Sequence, residues 1–123
     1  MKTILFLTVL SLWVIQGTPQ STSQQPTETA TFKVYGQCGM CKTRIEKAAK
    51  IDGVHSATWN QSDQMLKVEY SPSEVSTKTL HKKVAKVGHD TEKVKASDEV
   101  YNKLPACCKY EREKLKEKKN NCN

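Results

Sequence analysis

The chain has 123 residues, 37% of them apolar and 27% charged, and its 20 lysines and arginines against 13 acids give a net charge of +7. That leaves room for one small domain, and a domain of this size buries only about 60% of the surface its unfolded chain exposes, so a bound ion or a crosslink would help to stabilise it. The basic balance suits an anionic membrane surface or an acidic protein partner. No nucleic acid partner is expected, because the basic residues lack interleaved aromatics for base stacking and the chain is read as exported.

At the amino end, Lys2 precedes an uncharged run from Ile4 to Ile15. This run is too short for the roughly 20 apolar residues of a spanning helix and reads as a secretory signal peptide over residues 1–20. Residues 21–30 (STSQQPTETA) are Ser/Thr/Gln-rich and read as a flexible leader. The expected location is secreted, in the periplasm.

The folded part is expected over residues 31–97. Thr31 to Gly36 alternates, with Phe32 and Val34 on one face, as a strand does. From Met40 the spacing turns helical: Ile45, Ala48 and Ala49 share one face, and Asp52-Gly53 ends the helix. Val54 to Asn60 and Met65 to Tyr70 read as a hairpin, its turn at Gln61 to Gln64. Ser71-Pro72-Ser73 introduces a second helix whose Leu80, Val84 and Val87 fall on one face and which closes at Gly88; Asp90 to Ala96 makes a last, weaker strand. The order β-α-β-β-α-β predicts an α+β, ferredoxin-like sandwich: an antiparallel four-stranded sheet with two helices on one face. Residues 98–123 form a short, basic, cysteine-containing C-terminal extension. Tyr101 and Leu104 could anchor a turn there, and the stretch from Lys109 reads as a frayed helix or a disordered tail.

Five cysteines stand in this chain: Cys38 and Cys41 as C-x-x-C, Cys107 and Cys108 adjacent, and Cys122 alone. Adjacent cysteines rarely bridge each other without strain, and a C-x-x-C more often binds metal or exchanges thiols than staples a fold. Cys38 falls in the loop after the first strand and Cys41 at the start of the helix. Unpaired N–H groups, the helix dipole, and the charges of Lys42 and Arg44 all favour thiolate there. Two thiolates are an incomplete zinc site, but sulfur selects the soft ions Cu(I), Ag(I) and Hg(II), which a third sulfur from another protein can take by stepwise exchange.

The segment GQCGMCKTRIEKAAKIDGV, on the first loop and helix of this pattern, resembles heavy-metal-associated domains. That family includes copper chaperones, the amino-terminal modules of metal-pumping P-type ATPases and periplasmic mercuric-ion-binding proteins. The resemblance covers about Thr31 to Ala96 and implies Cys38 and Cys41 as ligands to one Cu(I) or Hg(II) ion per monomer, with no organic cofactor. It also implies a membrane metal transporter, or the metal-binding domain of a P-type ATPase, as the partner. The expected protein is a metallochaperone or scavenger, not an enzyme, and a monomer, with a metal- or disulfide-linked dimer as the alternative. The family commonly places a methionine in Gly-Met-x-Cys before the pair. Here Gln37 precedes Cys38, and Met40 lies between the cysteines, either packing or serving as a soft third ligand.

His89 occupies the loop that in the family faces the metal and is a secondary candidate to ligate the ion or tune the thiolate charge, while His55 and His81 fall on polar faces. Cys107 and Cys108 are secondary candidates that could complete a four-sulfur cage, hand ions to the first pair, bridge to another chain, or form a structural disulfide. The rival function is a thiol–disulfide oxidoreductase using Cys38 and Cys41. Against it, thioredoxin-like folds need a proline loop facing the motif, and Pro72 and Pro105 fall before the second helix and in the extension.

Overall fold

A computed structural model describes residues 25–112. The expected signal peptide, residues 21–24 of the leader and residues 113–123 of the basic tail, Cys122 among them, lie outside the described residues. Strand β1 (Glu28–Lys33), helix α1 (Gly39–Ala49), strands β2 (Val54–Asn60) and β3 (Met65–Tyr70), and helix α2 (Thr77–Lys86) follow in order. Helix α3 (Asp98–Asn102) and a 3-10 turn at Ala106–Cys108 complete them. The sheet runs β1-β3-β2 with both pairings antiparallel. No helix among the described residues is long and apolar enough to cross a membrane.

Strand β1 begins at Glu28, inside the expected leader, because β3 offers partners along its full length: Glu28 faces Tyr70, and Lys33 faces Met65. The Tyr70 hydroxyl donates to the Glu28 carboxylate at 3.1 Å. Alternation works as read in β3, where Leu66, Val68 and Tyr70 are buried. Helix α1 buries Cys41, Ile45 and Ala49, and α2 buries Leu80, Val84 and Ala85 under a Ser76 cap that accepts from Thr79 N. Together with Phe32, Val34 and Trp59, all of these but Ala85 form one core.

The fourth strand does not form among the described residues: Asp90 to Ala96 contributes a single bridge, Val34 to Thr91. Two backbone bonds reach the end of the first strand, Tyr35 N to Asp90 O at 2.8 Å and Glu92 N to Lys33 O at 3.1 Å, and beyond them side chains take over. The Thr91 hydroxyl accepts from Lys93 N and Val94 N, and the Asp90 carboxylate accepts from Ala96 N at 2.7 Å, so the segment curls into a turn. His81 is not on a polar face: it is buried, 4.0 Å from the Phe32 ring between centroids, with Nδ1 2.8 Å from the Thr91 hydroxyl. Its imidazole is held below the usual range, chiefly by burial and further by Lys93. His55 is exposed, with Nε2 2.9 Å from the Ser71 hydroxyl.

The start of the extension is packed. Leu104 is buried against Gly88, whose φ of +100° and lack of a Cβ let the two approach: a Cβ there would lie 2.9 Å from Leu104 Cδ2. Tyr110, expected in a frayed tail, is buried; its hydroxyl accepts from Asp90 N at 2.7 Å and donates to Gly88 O at 2.8 Å. Arg112 closes the segment, its Nε and Nη2 each 2.7 Å from an oxygen of buried Asp90, with further bonds to Asp98 and Ala96 O.

Candidate metal centre

Cys38 is the cap residue of α1, in extended geometry (φ −144°, ψ 170°), and its carbonyl accepts the first helical bond from Lys42 N. Cys41 follows one turn in and is fully buried. The loop that carries Cys38 is held from the β2–β3 turn: Gln61 Nε2 donates to Gln37 O at 2.8 Å, and Gln64 Nε2 to Gly36 O at 2.7 Å. Below it, Trp59 Nε1 donates to Val34 O at 3.0 Å. Gly36 crosses so close to Trp59 that a Cβ would stand 3.1 Å from both that ring and Cys41 Cβ. The loop is therefore held by supports outside the cysteine pair.

The Sγ atoms of Cys38 and Cys41 lie 3.1 Å apart, and Cys108 brings a third sulfur 3.5 Å from that of Cys38. The three sulfurs all fall within 4.8 Å of one another, a donor set that suits a soft cation. Cys107 turns outward: it is exposed, with its sulfur 3.5 Å from the Met40 thioether and 3.8 Å from Cys108 Sγ. Met40 does not pack in the core; at 54% exposure it is the large apolar side chain most open to solvent among the described residues.

His89 is buried but stands outside the sulfur group. Its Nδ1 lies 2.8 Å from Tyr35 O, its ring stacks on Tyr110 at 5.6 Å, and its Nε2 has no hydrogen-bond partner among the described residues. Burial pushes its imidazole below the usual range; the Tyr35 carbonyl opposes this, and the Arg44 charge adds to it. Lys42, its charge expected to favour thiolate at the pair, is engaged by the Glu46 carboxylate and by Trp59 O. Glu46 also accepts from Trp59 N at 2.8 Å, tying α1 to β2.

Burial alone would raise the Cys38 thiol. Hydrogen bonds from the Cys41 side chain and backbone, from the Cys108 thiol and from Met40 N–H outweigh it and bring Cys38 down to about 7. Cys41 is pushed up to about 12, first by burial and then by supporting the Cys38 thiolate. Exposed Cys107 is also raised, by its bond to Cys108. The two loop thiols thus differ: Cys38 is the readier thiolate near neutral pH, and Cys41 keeps its proton there. Alkylation of the reduced chain is expected to strike Cys38 with a midpoint near pH 7 and to leave Cys41 unmodified across neutral pH, read by peptide mass mapping. Equal labelling of both would contradict this difference.

Residues 31–90 match the model of the heavy-metal-associated domain. The CopZ metallochaperone is 32% identical, with a TM-score of 0.51 over 98% of its chain and 52% of this one. Oxidized MerP from Ralstonia metallidurans is 26% identical, with a TM-score of 0.51 over 94% of its chain and 54% of this one. A copper-exporting P-type ATPase of Staphylococcus saprophyticus is 40% identical over 67 residues, 53% of this chain but 8% of the ATPase's own length. The chain belongs to the heavy-metal-associated domain family. Cys108, Tyr110 and Arg112 lie beyond the matched residues.

Proposed function

We propose that this protein is a carrier for a soft metal ion, Cu(I) or Hg(II), which Cys38 and Cys41 hold and pass to a partner by exchange of thiolate ligands. The observation that carries this reading is the convergence of their sulfurs, 3.1 Å apart at the start of α1, with Cys41 drawn into the core. Soft ions accept low coordination by sulfur, so an incoming thiolate can bind before an outgoing one leaves, and the ion is never free. Copper is favoured as cargo by the similarity to an ATPase whose name carries that metal, and mercury by the resemblance of the first loop and helix to mercuric-ion-binding proteins.

The partner in this reading is a membrane metal transporter or the metal-binding domain of a P-type ATPase. The uncharged run behind Lys2 supports export to the periplasm before the encounter. Exposed Met40, beside the loop, gives a docking partner an apolar contact at the point of transfer. The lysines of α2, among them Lys82, Lys83 and Lys86, are exposed and steer an acidic face towards it.

The test is a titration of the reduced full-length chain with Cu(I) in competition with a chromogenic chelator, followed by mixing with a metal-free heavy-metal-associated domain. About one ion per monomer, transferred without passing through the chelator, is expected. Failure to take up Cu(I) or Hg(II), or catalytic reduction of a model disulfide without metal, would replace the carrier with the oxidoreductase.

A further inference from the structure

We infer that Cys108, delivered by the C-terminal extension, is a third ligand to the carried ion, making the resting site a three-sulfur one that the partner must open. This rests on the carrier reading and adds a residue that lies outside the matched family segment.

The first argument is distance. Metal–sulfur bonds of ~2.3 Å set sulfur–sulfur separations of about 4.0 Å in a planar triangle and about 4.6 Å across a linear pair. The Cys38–Cys41 and Cys38–Cys108 separations are 3.1 and 3.5 Å, and no pair of the three exceeds 4.8 Å. A triangle needs each of the two short edges to open by less than about 1 Å, whereas a linear pair needs Cys38 and Cys41 to part by about 1.5 Å. Both loop cysteines are tied into the start of one helix, and Cys41 is packed in the core, so the smaller movement is favoured.

The second argument is that Cys108 is placed, not stray. It is fully buried, and its backbone N–H donates to Pro105 O at 2.8 Å in the 3-10 turn. Gln37, the residue just before Cys38, donates through Nε2 to both Cys107 O and Lys109 O, at 3.2 and 3.1 Å, stapling the two ligand-bearing segments side by side. Two residues on, Tyr110 is locked to Asp90 N and Gly88 O, and Arg112 clamps Asp90. The chain thus spends a buried tyrosine and a buried ion pair on holding this thiol against the loop.

Three thiolates hold a soft ion more firmly than two and leave less of it open to attack. Delivery then begins at Cys108. A partner thiol forms its metal–sulfur bond and loses its proton, the bond to Cys108 breaks, and Cys108 takes up a proton, so coordination number and charge are conserved. The outward Cys107 and Met40 sulfurs flank the route along which that attack arrives.

X-ray absorption at the copper edge of the Cu(I)-loaded full-length chain, with Cys107→Ser, Cys108→Ser and Cys122→Ser variants, tests this. Three sulfur neighbours are expected in the parent, Cys107→Ser and Cys122→Ser proteins. Two neighbours with shorter bonds are expected in Cys108→Ser, with affinity lower by on the order of 10- to 100-fold and faster transfer to an acceptor domain. Two-coordinate copper in the parent protein overturns the inference whether or not Cys108→Ser folds, and leaves the carrier reading standing. A third sulfur that is lost with Cys107 or Cys122, or that appears only as protein concentration rises, also overturns it. Copper retained after loss of both Cys38 and Cys41 would instead sink the carrier reading.

Discussion

A chain in which both Cys38 and Cys41 are replaced by serine is expected to bind Cu(I) on the order of 10⁴-fold more weakly than the parent. Structural sites with four protein ligands release roughly 10–16 kcal/mol on binding zinc, or about 3 kcal/mol per ligand. Removing two soft ligands therefore removes about 6 kcal/mol, and each 1.4 kcal/mol is about a factor of ten. The serine hydroxyl is a hard donor that keeps its proton at neutral pH, so it does not take over. Cys41 is fully buried within the core, so its hydroxyl replacement also costs some stability; a thermal melt of the metal-free variant separates that from the binding loss. Competition with a chelator of known affinity measures the effect, and a change of less than tenfold would show that the ion sits elsewhere.

Replacing Asp90 with alanine is expected to destabilise the fold by about 3 kcal/mol and to free the extension. The carboxylate is 3% exposed and its arginine partner 13%, so the pair lies beneath the surface, where breaking it leaves the guanidinium with only the carboxylate of Asp98. The same carboxylate accepts from Ala96 N, and that donor too loses its acceptor. The loss stays near the lower end of what buried pairs cost because Arg112 retains Asp98, whose side chain is 85% exposed. Asp90→Asn keeps the size and one acceptor oxygen, and about 1 kcal/mol is expected from it. Urea denaturation measures both. The extension gives an independent readout: Cys108, buried in the parent, should become accessible to alkylation in Asp90→Ala under native conditions. If Cys108 stays protected while stability falls, Arg112 holds the turn but not the thiol.

The strand and helix order up to α2 was legible in the chain because periodicities of two and near four are local properties. Alternation in Leu66, Val68 and Tyr70, and helical spacing in Leu80 and Val84, each point to a face that has to be buried. The C-x-x-C at the first strand-to-helix junction was legible for the same reason, since a cap residue and the next turn of a helix are near neighbours. The last strand was misread because Thr91 and Asp90 satisfy nearby N–H groups with their own side chains, a competition that apolar patterning does not register. His81 was misplaced because its burial depends on Phe32, 49 positions away in the chain, and on Thr91.

What the amino-acid sequence determined on its own is the helix-start thiol pair and the amphipathic elements around it, since both are written within a few residues of each other. What only the tertiary structure decided is the company that pair keeps. Cys108 stands 70 positions from Cys38, and no local rule relates them. Their meeting depends on Tyr110 and Arg112 finding Gly88 and Asp90 across the fold, contacts that exist only once α2 has packed on the sheet and brought that loop to the same end of the molecule. A side-chain pattern records which face is buried, but not which distant segment comes to cover it.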